Sequence, residues 1–188
     1  YASGHQGFNN GNNQESSSES INFSTAVLLW GAATGNSQIR DLGIYLHAME
    51  SIAIEQYWFD ADQEVFPEAF PHPILGIVWN CGGDYATWWT ANPEEIHGIN
   101  ILPVTTGSLH LGRRPDSVIR NHDYLVVRNG GEATVWKDVI WSYQALAEPD
   151  DAMAAFNADL GYGPEGGESR AHTYHWLASL QHFGGLET

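Results

Sequence analysis

Glycine and proline cut this chain into helix-length pieces, and inside those pieces the apolar residues recur at helical period. Over 37–57, Ile39, Leu42, Ile44, Leu46, Met49 and Ile52 fall near one face of a helix. Before it, a helix runs through about Ala33 and is ended by Thr34-Gly35-Asn36. Pattern returns near Pro93, with Asn92 as cap and Glu94 and Glu95 in the first turn. That stretch is interrupted by Pro103 and ends at Gly112; further helices are expected from Asp116 to Asn129 and over 133–147, 150–159 and 171–183. About seven helices with little strand signal make an all-α fold of helical hairpins. Residues 1–13 read as loop. Residues 58–91, with Pro67, Pro71, Pro73, Gly76, Gly82 and Gly83 around a β-like Ile74–Trp79, read as a long aromatic-rich loop or short hairpin. Connections of that length usually carry function.

Charge narrows the partners. With 23 acidic against 7 basic residues in 188, the net charge is −16, which opposes nucleic acid and anionic membrane surfaces, both of which need basic patches. A neutral ligand such as a polysaccharide fits better. Eight Trp, eight Tyr and seven Phe offer flat faces for sugar rings, though the same side chains also fill cores. Cys81 stands alone, so no internal disulfide forms. No stretch approaches the roughly 20 apolar residues of a membrane span. The start, Tyr1-Ala2-Ser3-Gly4-His5, has neither an initiator Met nor the regions of a signal peptide, and reads as an excerpt of a longer polypeptide or a mature form.

Asn13–Asn22 (NQESSSESIN) holds the strongest chemical signal. If the helix starts early enough, Glu15 and Glu19 share one face about 5–6 Å apart at Cβ; like charges that close suit acid/base work on a polar substrate. A structural alternative is a capping box, Ser16-x-x-Glu19, which leaves Glu15 outside the helix and both carboxylates without chemistry. Spacing alone does not decide between them.

The same decapeptide resembles the signature of glycoside hydrolase family 81, the endo-1,3-β-glucanases. Glu55–Asp60 (EQYWFD), Asp84–Trp89 (DYATWW) followed by 93–100 (PEEIHGIN), and Gly167–Trp176 (GESRAHTYHW) resemble further blocks of that family in the same order. The resemblance spans nearly all of the chain. It implies one partial domain over 1–188, the C-terminal portion of an (α/α)6 barrel, acting on internal β-1,3-glucosidic bonds with inversion and without a cofactor or metal. It also implies Glu19 as general base and Glu15 as its supporting carboxylate, with His172 and Tyr174 lining the same cleft. Trp58 and Trp88 in the aromatic loop, Asp84 among those aromatics and His97 are read from the residues themselves as further glucan contacts. The family's acid, an Asp in a His- and Tyr-rich segment, would lie upstream of Tyr1. The rest of the barrel, or self-association, is then expected to cover an apolar edge. Action outside the cell or at a cell wall follows from the resemblance alone. A non-catalytic glucan-binding or self-assembling protein derived from the barrel is the competing reading, and another (α/α) barrel glycosidase is a third.

The bland readings are specific. Trp88 and Trp89 are adjacent, so at most one is free for a ligand while the other anchors the loop. His97 is either a hydroxyl donor or a buried structural residue. His172 and His175 sit at i, i+3 without a third ligand in a recognisable pattern. Asp60-x-Asp62-x-Glu64 has Val65 and Pro71 where a calcium loop needs Gly and Glu, and reads as a solvated turn. Asn22-Phe23-Ser24 is a glycosylation triplet inside a helix start.

Overall fold

The computed structural model describes residues 8–80, 82–165 and 167–183; the first part of the expected N-terminal loop, residues 1–7, and Cys81 lie outside them. The order is β1 (Asn13–Glu15), α1 (Ser17–Ala33), α2 (Ser37–Tyr57), β2 (Ile77–Trp79), β3 (Gly82–Asp84), α3 (Pro93–Gly98), a 3₁₀ helix (Thr106–Arg113), α4 (Pro115–Asn129), α5 (Lys137–Gln144), α6 (Pro149–Ala158) and α7 (Arg170–His182). Helices α2, α3 and α7 begin at side-chain caps. Asn36 accepts from the Ile39 amide at 3.1 Å, Asn92 from Glu94 at 2.9 Å, and Ser169 from His172 at 3.2 Å. Pro93, Pro115 and Pro149 occupy first-turn positions where no amide is needed. Gly130, at φ 76°, closes α4 in the left-handed conformation.

The three strands form one antiparallel sheet in the order β1-β2-β3, with Glu15 opposite Ile77 and Ile77 opposite Asp84. The β2–β3 hairpin falls inside the expected 58–91 segment. β1 corrects the reading of 13–15 as loop end and helix start. Its pairing partner is more than sixty residues away, so three residues of local sequence carry no strand signal.

The core gathers Ile54, Phe59, Ile74, Ile101, Val118, Val139, Trp141, Leu146, Phe156, Trp176 and Leu177 between the ends of α2 and helices α4–α7. Glu55, buried at the end of α2, accepts two hydrogen bonds from the Arg113 guanidinium and lies 3.7 Å from His110 Nδ1. Burial pushes its carboxyl up, but the nearby His110 and the hydrogen bonds from Arg113 outweigh that and hold it low. Helices α1 and α2 pack differently. Gly31 sits against the Arg40 backbone and Gly43 against the Leu28 backbone, so the two helices touch main chain to main chain. Their large apolar side chains, including Phe23, Trp30, Leu42, Tyr45, Met49 and Ile52, are exposed.

Candidate functional site

Three serines set the start of α1. The Ser17 amide and hydroxyl both donate to Asn100 Oδ1, at 3.2 and 2.9 Å, and Asn100 Nδ2 donates to the Leu75 carbonyl at 2.7 Å. Ser18 Oγ donates to the carbonyls of Ile99 and Leu102. These residues, poor helix formers in isolation, are struts between the helix end and the segment after α3. Ser16 is left-handed, φ 66° and ψ 66°, and turns the chain sharply from β1 into α1. As a result Glu15 stands on a strand and Glu19 in the first helical turn. Neither arrangement read from the sequence is realised: the two acids do not share a helix face, and Ser16 makes no side-chain cap, bonding instead to Ser18 Oγ at 3.3 Å.

The turn nonetheless brings both carboxylates to one open cavity of about 440 Å³, bordered by Asn13, Glu15, Ser16, Glu19, Ser20 and Trp88. Glu15 is half-buried and fully engaged: Oε2 accepts from the Trp88 amide at 3.0 Å and Oε1 from the Trp89 indole N–H at 3.2 Å. Glu19 is exposed, and its carboxylate has no hydrogen-bond partner among the described residues. It stands in the first turn of α1. Beside it, Ser20 Oγ donates to Glu50 Oε1 on α2.

Trp88 is 67% exposed at the tip of a tight turn. Thr87 builds that turn: its Oγ1 accepts from the amides of Trp89 and Thr90, at 3.2 and 2.9 Å. Thr90 Oγ1 in turn donates to Glu95 at 2.6 Å. Trp88 is therefore the free member of the pair, while the Trp89 indole is held by Glu15. Asp84 is exposed on β3, in the cross-strand row Glu15–Ile77–Asp84, whose members project to one face of the sheet.

The other expected site residues stand apart from this cavity. Trp58, 7% exposed, belongs to the core. His97 is 1% exposed; its Nε2 pairs with the Tyr85 hydroxyl at 3.2 Å, and Tyr124 stacks on its ring. Burial, then the neighbouring His122 and His72, pushes its pKa down to about 3, so at neutral pH it is an uncharged core group. His172 Nε2 donates to the Val104 carbonyl at 3.0 Å and lies 3.4 Å from Glu168. Tyr174 is exposed on α7 with its ring near Phe156. Among the described residues no cluster of three His, Cys, Asp or Glu side chains is arranged to hold a metal. Asp60, far from a calcium ligand, is buried and accepts from the amides of Glu64, Val65 and Phe66; the expected solvated turn is a carboxylate-capped one.

Sequence reading passed over Asn100, Glu50, Gly98 and Trp136 as individuals. Only Asn100 carried a signal, an amide set between Ile99 and Ile101, because a polar residue inside an apolar run needs buried partners.

Comparisons with known proteins point to one family. The model of the "Glycosyl hydrolase family 81 C-terminal domain" matches residues 1–177. A "Glucan endo-1,3-beta-D-glucosidase" of Thermobifida fusca is 48% identical over 189 residues, covering 100% of this chain and 25% of that protein. A protein of the same name from Acetivibrio thermocellus is 46% identical over 187 residues, 98% of this chain and 24% of that one. Among solved structures, a mutant of "Glycoside hydrolase family 81 from Clostridium thermocellum (CtLam81A)" superposes with a TM-score of 0.89 at 44% identity, covering 95% of this chain and 25% of that one. The chain thus spans about a quarter of the length of these relatives.

Proposed function

The chain belongs to glycoside hydrolase family 81, and from that premise we propose that it supplies one wall of an active site that hydrolyses internal β-1,3-glucosidic bonds with inversion. The observation that carries this reading is the meeting of Glu15, Glu19 and Trp88 around one open cavity. Their hydrogen bonding separates the two acids. Both oxygens of Glu15 are taken by N–H donors, whereas those of Glu19 are free to receive a proton. Glu19 is then the general base that deprotonates the attacking water, and Glu15 the carboxylate that orients the site. In an inverting reaction that water attacks the anomeric carbon from the face opposite the leaving group, whose oxygen is protonated by an acid roughly 6.5–9.5 Å from the base. We assign the acid to a carboxyl outside this chain. Trp88 stacks on a glucosyl ring, and Asp84 accepts from its hydroxyls. Trp58, His97, His172 and Tyr174, set back from the cavity, support the wall rather than touch the sugar.

The exposed apolar face of α1 and α2 fits the same reading: in the longer enzyme the remaining length of the polypeptide would close a helical barrel against it. Polymeric glucan of this kind lies outside the cell or in its wall, which places the proposed action there. Among the described residues no helix is long and apolar enough to cross a membrane.

Full-length polypeptide incubated with linear β-1,3-glucan should release oligosaccharides that first appear as α-anomers by NMR. Glu19→Gln should lower kcat by at least 10³-fold while laminarin still binds. Binding without any release by the unmutated protein would instead favour a non-catalytic glucan binder.

A further inference from the structure

Among the described residues near the site, Trp136 shares with Ser16 a left-handed backbone. It immediately precedes α5 at φ 51° and ψ 32°, the left-handed region that a bulky residue rarely adopts. Such outliers persist only where the surroundings over-determine them, and here they do. The chain just before it is pinned by Glu94, a carboxylate 1% exposed that accepts from the Thr134 and Val135 amides, the Thr134 hydroxyl and Asn129 Nδ2. The residue after it starts α5, whose first two turn bonds run from Val139 and Ile140 to the Trp136 carbonyl.

The indole is placed as tightly as the backbone. It lies flush on Gly98, the last residue of α3: a Cβ at position 98 would stand 2.4 Å from Trp136 Cε3. No other residue than glycine leaves room for the ring there. Its far side meets Trp89, with centroids 6.0 Å apart and rings tilted by 46°. Trp89 is the residue whose indole N–H reaches Glu15 Oε1 at 3.2 Å. A continuous line of contacts therefore runs from Gly98 through Trp136 and Trp89 to the carboxylate that borders the cavity.

We propose that Trp136 is a positioning residue for the site: seated on Gly98, it sets the ring of Trp89, which fixes Glu15 and leaves Trp88 facing outward. The ring of Trp136 is the packing partner that holds the Trp89 indole within reach of Glu15. The proposal explains why a tryptophan is accommodated at φ 51° and why α3 ends on glycine. It rests on the reading of Glu15 as the orienting carboxylate of a glucan hydrolase.

Full-length protein labelled with 15N-tryptophan separates the two. The Trp89 indole N–H resonance, assigned through Trp89→Phe, should shift upfield in Glu15→Gln, in Trp136→Ala and in Gly98→Ala, and should return close to its unmutated position in Trp136→Phe. On linear β-1,3-glucan, Trp136→Ala should lower kcat about 10–100-fold with KM changed less than threefold, and Trp136→Phe should recover most of the loss. An unmoved Trp89 resonance in both folded Trp136→Ala and folded Gly98→Ala overturns the proposal, as does undiminished kcat when the resonance has moved. If Trp136→Ala does not fold, Trp136→Leu takes its place beside Gly98→Ala: a shifted Trp89 resonance with lowered kcat supports the proposal, and an unmoved resonance overturns it. A shifted resonance in a protein that never cleaves glucan would leave the contact line standing and remove the hydrolase reading beneath it.

Discussion

One side-chain amide, that of Asn100, joins three pieces of chain beside the cavity. It accepts from the Ser17 amide and hydroxyl and donates to the Leu75 carbonyl, all buried. Asn100→Ala would strand these groups away from water, at about 1–3 kcal/mol for each buried group left unpaired. Urea denaturation should show stability lowered by at least about 2 kcal/mol, and glucan turnover should fall because the first turn of α1, which carries Glu19, loses its anchor. His97 yields a prediction in pH. Its pKa of about 3 in the fold lies below the 6.5 of an ordinary histidine. Between those values the unfolded chain binds a proton that the folded one refuses, so the contribution is whole above pH 6.5 and drains away as pH falls toward 3. His97→Phe should flatten the dependence of the urea midpoint on pH between 6.5 and 4. The family's decapeptide was legible at this scale. The roles of its serines were not. Their partners are the side chain of Asn100 and the carbonyls of Ile99 and Leu102, some eighty residues on, and no local pattern encodes such a partner.

At the scale of elements the contact between α1 and α2 is made by absence of side chains. A Cβ on Gly31 would stand 2.1 Å from the Arg40 nitrogen, and one on Gly43 2.3 Å from that of Leu28. Backbone cannot rotate aside, so Gly31→Ala and Gly43→Ala should each destabilise by about 1–3 kcal/mol or more through overpacking. Gly163→Ala, with open space around it and no left-handed backbone, is the matched control and should be neutral or stabilising by up to about 1 kcal/mol. Chemical denaturation of the three variants side by side tests the difference. The break at Thr34-Gly35-Asn36 separated α1 from α2, the start expected at Asp116 falls one residue after Pro115, and the helix start at Pro93 was legible from its Asn92 cap. The turn from β1 into α1 was not, because left-handed Ser16 is imposed by what lies on either side of it: a strand paired to β2 and a helix start bonded to Asn100.

For the molecule as a whole, the decisive asymmetry is between a tight interior around α4–α7 and an α1–α2 pair that turns its largest apolar side chains outward. A helix pair with Phe23, Trp30, Leu42, Tyr45, Met49 and Ile52 all exposed presents more contiguous apolar surface than a free-standing domain tolerates. Opposing association is the net charge of −16, whose self-repulsion acts over about 10 Å at 0.1 M salt and shrinks to about 3 Å at 1 M. Expressed alone, the chain should therefore be driven into oligomers by added salt, the reverse of what an association held by ion pairs would do. Sedimentation velocity at 0.05 and 1 M sodium chloride would read this directly. Leu42→Lys combined with Ile52→Lys should keep the isolated chain monomeric at both concentrations. In the full-length polypeptide the same double substitution should destabilise, since there the face is expected to be covered. A monomer at high salt without those substitutions would mean that the outward face needs no cover, and would weaken the placement of this chain as one wall of a larger barrel.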